Sequence, residues 1–115
     1  MKKFKLIINN GFKKNDREKF FIKKELQSIL NLYAKMVSNG TWKDYSFSSG
    51  NREVSFDVYQ RTSDKPVLRI LKNLKPSHLD EKFLIKDNYG KIIQKSENLN
   101  RLITKTRWNN IKLVK

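Results

Sequence analysis

The spacing of the apolar residues changes once along this chain, and that change limits the fold more than any other feature. From Lys23 onward, Leu26, Ile29, Leu30, Tyr33, Met36 and Val37 recur at the i, i+3, i+4, i+7 intervals of one helical face. This predicts a core-facing amphipathic helix, closed at Asn39-Gly40 by residue types that tolerate the left-handed conformation of a helix C-terminus. Beyond Gly40 the period becomes two. Tyr45 and Phe47 alternate with Asp44, Ser46 and Ser48, and the turn signal Ser49-Gly50-Asn51 implies a hairpin. Its return strand, Arg52 to Arg61, puts Val54, Phe56 and Val58 on one face, with Glu53, Ser55, Asp57 and Tyr59 on the other, wet side.

The same logic carries through the second half. Thr62 to Pro66 turns the chain, and Val67 to Leu71 forms a third strand. Pro76 and Ser77 break the pattern before Lys82 to Lys86, which Asp87-Asn88-Tyr89-Gly90 joins to Lys91 to Gln94 as a hairpin. Ser96 is a candidate cap for a short helix with Glu97 in its first turn and Leu99, Leu102 and Ile103 as its apolar stripe. After Trp108 the tail either returns as an edge strand through Ile111 and Val114 or frays. The expected fold is α+β: an antiparallel sheet of about five strands, a meander plus a hairpin, with one long amphipathic helix and a short C-terminal helix packed on one face. Residues 1–22 read as an N-terminal arm or edge strand, and residues 23–115 as a single α+β domain.

Two blocks of sequence carry a resemblance. Lys24-Glu25-Leu26-Gln27-Ser28-Ile29-Leu30-Asn31-Leu32-Tyr33-Ala34-Lys35-Met36-Val37 with Gly40-Thr41-Trp42-Lys43-Asp44-Tyr45, and then Arg61-Thr62-Ser63-Asp64-Lys65-Pro66-Val67-Leu68-Arg69-Ile70, resemble the core motif of an alphaproteobacterial family of unknown function, number 2794. The likeness runs over about residues 23 to 105. Ala34 stands where that family's pattern has a glycine, and Leu68 where it has an aromatic residue, differences of packing rather than of chemistry. The resemblance implies one fold unit and a bacterial cytoplasmic setting, and it brings no activity, ligand or site residue with it.

The chain has 115 residues, within the roughly 150 that one core serves, and no cysteine, so packing alone must hold it. No apolar run approaches the ~18 residues of a membrane span, and the stretch from Met1 to Ile8 is too short for a secretory signal, so a cytoplasmic location and no membrane partner are expected. Catalysis usually draws on His, Cys or paired carboxylates. The one histidine, His78, stands in a polar loop, Asp80-Glu81 reads as a solvated pair, and the four glycines stand singly. No catalytic residue, metal site or cofactor is therefore assigned, and a non-enzymatic role is expected.

Charge points elsewhere. Twenty-six basic against eleven acidic residues give a formal net charge of +15, a field that attracts polyanions. A composition of 20 Lys, 12 Asn and 10 Ile against 1 Ala also follows the codons of an AT-rich genome, a second source of the same charge. The candidate nucleic-acid contacts are Arg61 and Arg69, with Tyr59, across the outer side of the sheet, and Arg101, Lys105, Arg107 and Trp108 in a C-terminal segment without an acidic residue from Asn98 onward. Each has a structural counterpart: the arginines can offset Glu53 and Asp57, the last cations suit a helix C-terminus, and Trp108 can clamp the tail. The polar helix face (Lys24, Gln27, Asn31, Lys35, Ser38) and the basic arm (Lys2, Lys3, Lys5, Lys13, Lys14) are further candidates. The resulting expectation is a small basic module that contacts RNA or DNA through phosphates, the alternative being a protein-protein adaptor or regulator without a nucleic-acid role.

Overall fold

A computed structural model describes residues 20–61 and 65–108. The helix expected from the 3.6-residue spacing is α1, Lys23–Ser38, and it buries Leu26, Ile29, Leu32 and Met36. Leu32 belongs to that stripe although the periodicity left it out, while Val37, assigned to the stripe, is exposed at the end of the last turn. Gly40, at φ +83°, closes the helix as a Schellman motif: its N–H donates to Val37 O and the Thr41 N–H to Met36 O. Lys24, Gln27, Asn31, Lys35 and Ser38 are all exposed on the opposite face, and so is Ala34.

Five strands follow in one antiparallel sheet, in chain order: β1 Asp44–Ser49, β2 Glu53–Tyr59, β3 Leu68–Asn73, β4 Phe83–Asp87 and β5 Ile92–Ser96. The connection from β2 to β3 runs through residues outside those described, as do the arm before Phe20 and the tail after Trp108. A 3-10 turn, η1 at Leu79–Glu81, precedes β4, and α2, Leu99–Lys105, follows β5. The expected α+β architecture is the one observed. Register places Val54, Phe56 and Val58 beside Lys72, Ile70 and Leu68, and Ile70 beside Ile85, so these side chains share the face that α1 and α2 cover. Leu68 is buried there, which is why an aliphatic residue in place of an aromatic one alters packing. Phe21 is buried in the same core and Phe20 packs against it, so the core reaches back to the last residues of the expected arm.

Two further local expectations are corrected, and one inward-facing lysine is added. The cap of α2 is Asn98, whose Oδ1 accepts from the Arg101 N–H at 2.9 Å; Ser96 is the last residue of β5. Pairing of Ser96 with Phe83 prolongs the strand by two residues and moves the helix start with it, leaving Glu97 outside the first turn. The outer side of β2 is not wet, since Ser55 and Asp57 are buried. Asp57 accepts from Ser48 Oγ at 2.9 Å and from Arg69 Nε at 2.9 Å, and Arg69 Nη2 reaches Ser55 Oγ at 3.0 Å, so cross-strand neighbours replace water around both. Lys72, finally, faces the core. Its ammonium donates to Phe20 O and to Glu25 Oε1, each at 2.9 Å, and the same Glu25 oxygen accepts from the Ile22 N–H at 2.8 Å. The first turn of α1 is thereby tied to the middle of the sheet.

A chain of rings fills the space between α1 and the strands β1 and β2. Tyr33 meets Tyr45 edge-on with centroids 4.5 Å apart, and Tyr45 lies 5.1 Å from Phe56. Burial, reinforced by Asp44, raises the Tyr33 phenol above its usual 10.0; burial, then Tyr33 and Asp44, raises that of Tyr45. The folded state thus holds these protons more tightly than the unfolded chain. The stabilisation they give is complete below pH 10.0 and is lost as pH rises beyond it, where the unfolded phenols ionise first. Tyr33→Phe should therefore gain in urea midpoint relative to the natural chain as pH passes about 10, a comparison in which lysine titration largely cancels. A difference that stays constant with pH would contradict this linkage.

Candidate nucleic-acid interface

Whether the basic residues expected to contact a polyanion form one surface depends on which side of the sheet each occupies. Arg69 pairs in register with Asp57 and Lys86, on the face away from the helices. Its guanidinium is committed to Asp57 and Ser55, with the Nε–Oδ1 ion pair at 2.9 Å. Tyr59 lies further along the same side of β2, where its hydroxyl and that of Ser46 share a hydrogen bond of 2.9 Å. Arg61 is exposed just beyond the end of β2. Arginine and tyrosine do line this side, as the alternation implied, and Arg69 balances a buried carboxylate there.

The C-terminal group belongs to the other layer. Leu99 and Leu102 are buried against the core, and Ser28 Oγ donates to Asn100 Oδ1 at 2.6 Å, fixing α2 to α1. Arg101 and Lys105, one turn apart, point away from those contacts and are exposed, as is Arg107. Lys105 Nζ donates to Lys95 O at 2.6 Å, across the outer edge of β5. That brings Lys95 into the same basic edge, with Asp80 at 3.5 Å from Lys95 Nζ as its carboxylate partner. Trp108 is half-buried: its indole N–H donates to Ile103 O at 3.1 Å and its ring stands edge-on to Trp42 at 5.8 Å. It anchors the segment, with Arg101 and Arg107 exposed beside it and Lys105 exposed where its ammonium meets the edge of β5.

The six candidates therefore separate into Arg61 and Arg69 on one side, and Arg101, Lys105, Arg107 and Trp108 on the other. Lys95 was missed, because a lysine on a strand is unremarkable until that strand proves to be an edge next to a basic helix. A cleft of about 200 Å³ between the first turns of α1 and α2 is lined by Lys24, Ser28, Lys82, Glu97, Asn98 and Asn100, among others. Ser28 is already bonded to Asn100, Asn98 caps its own helix through the Arg101 N–H, and lysines and glutamates occur together, so the cleft selects no charge. His78 is exposed beside η1, and among the described residues no three His, Asp or Glu side chains gather as a metal site would require.

The family model for Protein of unknown function (DUF2794) matches residues 19–103, most of the chain. The chain belongs to this family. The DUF2794 match begins just before Phe20 and ends inside α2, so it takes in Arg61, Arg69 and Arg101 and stops short of Lys105, Arg107 and Trp108. No curated protein and no solved structure matches the sequence. Among the described residues of this DUF2794 member, no helix is long and apolar enough to cross a membrane.

Proposed function

We propose that this chain is a small non-catalytic module that binds RNA or DNA through phosphates, with little sequence preference. One observation carries the reading: Arg101, Lys105 and Arg107 are exposed on and just after a firmly docked helix, in a segment without a carboxylate from Asn98 to Trp108, beside Lys95 on the sheet edge. Cations on a rigid support lose less conformational freedom on meeting a phosphate backbone than cations on a loose tail. The net charge of +15 adds a long-range attraction that any such contact inherits.

Titration of labelled RNA and DNA at several salt concentrations tests this. Binding should weaken linearly on a log-log plot, with a slope of about −0.7 per phosphate contact for single strands and about −0.9 for duplex DNA. The triple variant Arg101→Ala, Lys105→Ala, Arg107→Ala should lose roughly 2 to 3 from the magnitude of that slope and at least about tenfold in affinity at moderate salt. An unchanged slope in the variant, or no binding at about 10 µM protein and low salt, removes the proposal. A protein partner that binds the purified chain directly and resists nuclease and high salt would put an adaptor in its place.

A further inference from the structure

Tyr89 is the most solvent-exposed of the large apolar side chains described, at 86%, and among the described residues its ring has no aromatic or hydrogen-bond partner. It stands at the third position of the turn Asp87 to Gly90 that joins β4 to β5. The Gly90 N–H donates to Asp87 O at 3.0 Å, Asp87 Oδ1 accepts from the N–H groups of Tyr89 and Lys91, each at 2.9 Å, and the Asp87 N–H donates to Lys91 O at 2.9 Å. Gly90 supplies the left-handed residue at φ +83°. Asp87 and Gly90, at the first and fourth positions, meet the conformational need of this turn, and its third position accepts most residue types. The ring therefore rides on a backbone already locked, with only two side-chain torsions left to freeze.

Its surroundings are basic and open on the edge of the sheet. Lys91 is adjacent and exposed, and Ile92, 45% exposed, pairs in register with Lys86. Following β5 from Lys91 leads in about 13 Å, at ~3.3 Å per residue, to Lys95, whose ammonium has the exposed Asp80 at 3.5 Å, and to the Lys105 ammonium that donates to the Lys95 carbonyl. An aromatic face next to a row of cations suits a nucleic-acid strand whose bases are free to stack while its phosphates follow the lysines. In a duplex the bases already stack on one another, and Tyr89 could only approach their edges or the backbone.

We infer that Tyr89 is a stacking platform for an unpaired base and that the preferred ligand is single-stranded, with its phosphates along Lys91, Lys95 and Lys105. This rests on the nucleic-acid reading above. It is tested with the full chain and two labelled probes, a short oligouridine and a blunt duplex of matched length. Oligouridine should bind more tightly. Tyr89→Ala should lower its affinity about 5- to 150-fold, the range found for removing one base-stacking aromatic, with the duplex affinity and the salt slope unchanged. Tyr89→Phe and Tyr89→Trp should keep it. Tyr89→Ser, suited to a turn, repeats the measurement if the alanine variant folds poorly. Equal affinity of Tyr89→Ala and the natural chain for oligouridine, or equal losses on both probes, overturns this inference and leaves phosphate binding standing. Absence of binding to either probe overturns both.

Discussion

Lys72→Met is expected to destabilise the protein by about 3–5 kcal/mol, although it exchanges a charged residue for an apolar one of similar length. The reason lies with the partner left behind. Lys72 and Glu25 are 2.9 Å apart with side chains only 7% and 12% exposed, so removal of the ammonium strands a largely buried carboxylate in the first turn of α1 and removes one donor from Phe20 O. Replacing both groups, as Lys72→Met with Glu25→Gln, should restore most of the loss, because the amide oxygen can still accept the Ile22 N–H while no net charge remains buried. Urea denaturation of the two single variants and the double variant gives the coupling directly. If the double variant is as unstable as the single one, the pair is not what couples α1 to the sheet. The contrast is Lys95 with Asp80, 3.5 Å apart with side chains 48% and 60% exposed, where breaking the pair should change stability by no more than about 0.5 kcal/mol.

Trp42→Ala should cost a comparable amount, about 3–5 kcal/mol, since it empties the largest fully buried side-chain site in the core. Against a total stability that for domains of this size is on the order of 5–15 kcal/mol, such a loss approaches unfolding, with a drop in melting temperature on the order of 15 °C. Trp42 follows directly on the Schellman closure of α1 and contacts Tyr33 at 6.2 Å and Trp108 at 5.8 Å between ring centroids. The vacated space therefore also undermines the clamp that holds Arg107 beside α2. Trp108→Ala, at a half-buried site, should destabilise less while still loosening that segment. A calorimetric melt of each variant decides: a Trp42→Ala protein within about 1 kcal/mol of the natural one would mean the core closes around the gap, which close-packed interiors rarely permit.

These two sites illustrate how unevenly the fold can be read from residues. Trp42 is legible as a core anchor at the corner between helix and sheet, because a large ring just after a helix stop has few other places to go. Lys72 was not singled out at all. Its parity with Leu68 and Ile70 already put it on their face of β3, but a lysine at an inward position gains meaning only from Glu25, 47 residues away in sequence.

Local signals determined what depends on neighbours in sequence. The 3.6-residue spacing and Gly40 set α1, alternation around Phe56 set the sheet faces, and Ser49-Gly50 and Asn88-Gly90 set two of the turns, since backbone conformation answers mainly to adjacent residues. Tertiary structure decided the rest. The pairing of Ser96 with Phe83 moved the cap of α2 to Asn98, Arg69 turned the expected wet side of β2 into a buried network, and the edge position of β5 gathered Lys95 with Lys105. In each case the outcome is the balance between a side chain's loss of water and the partner it finds, and that partner comes from a different strand or helix.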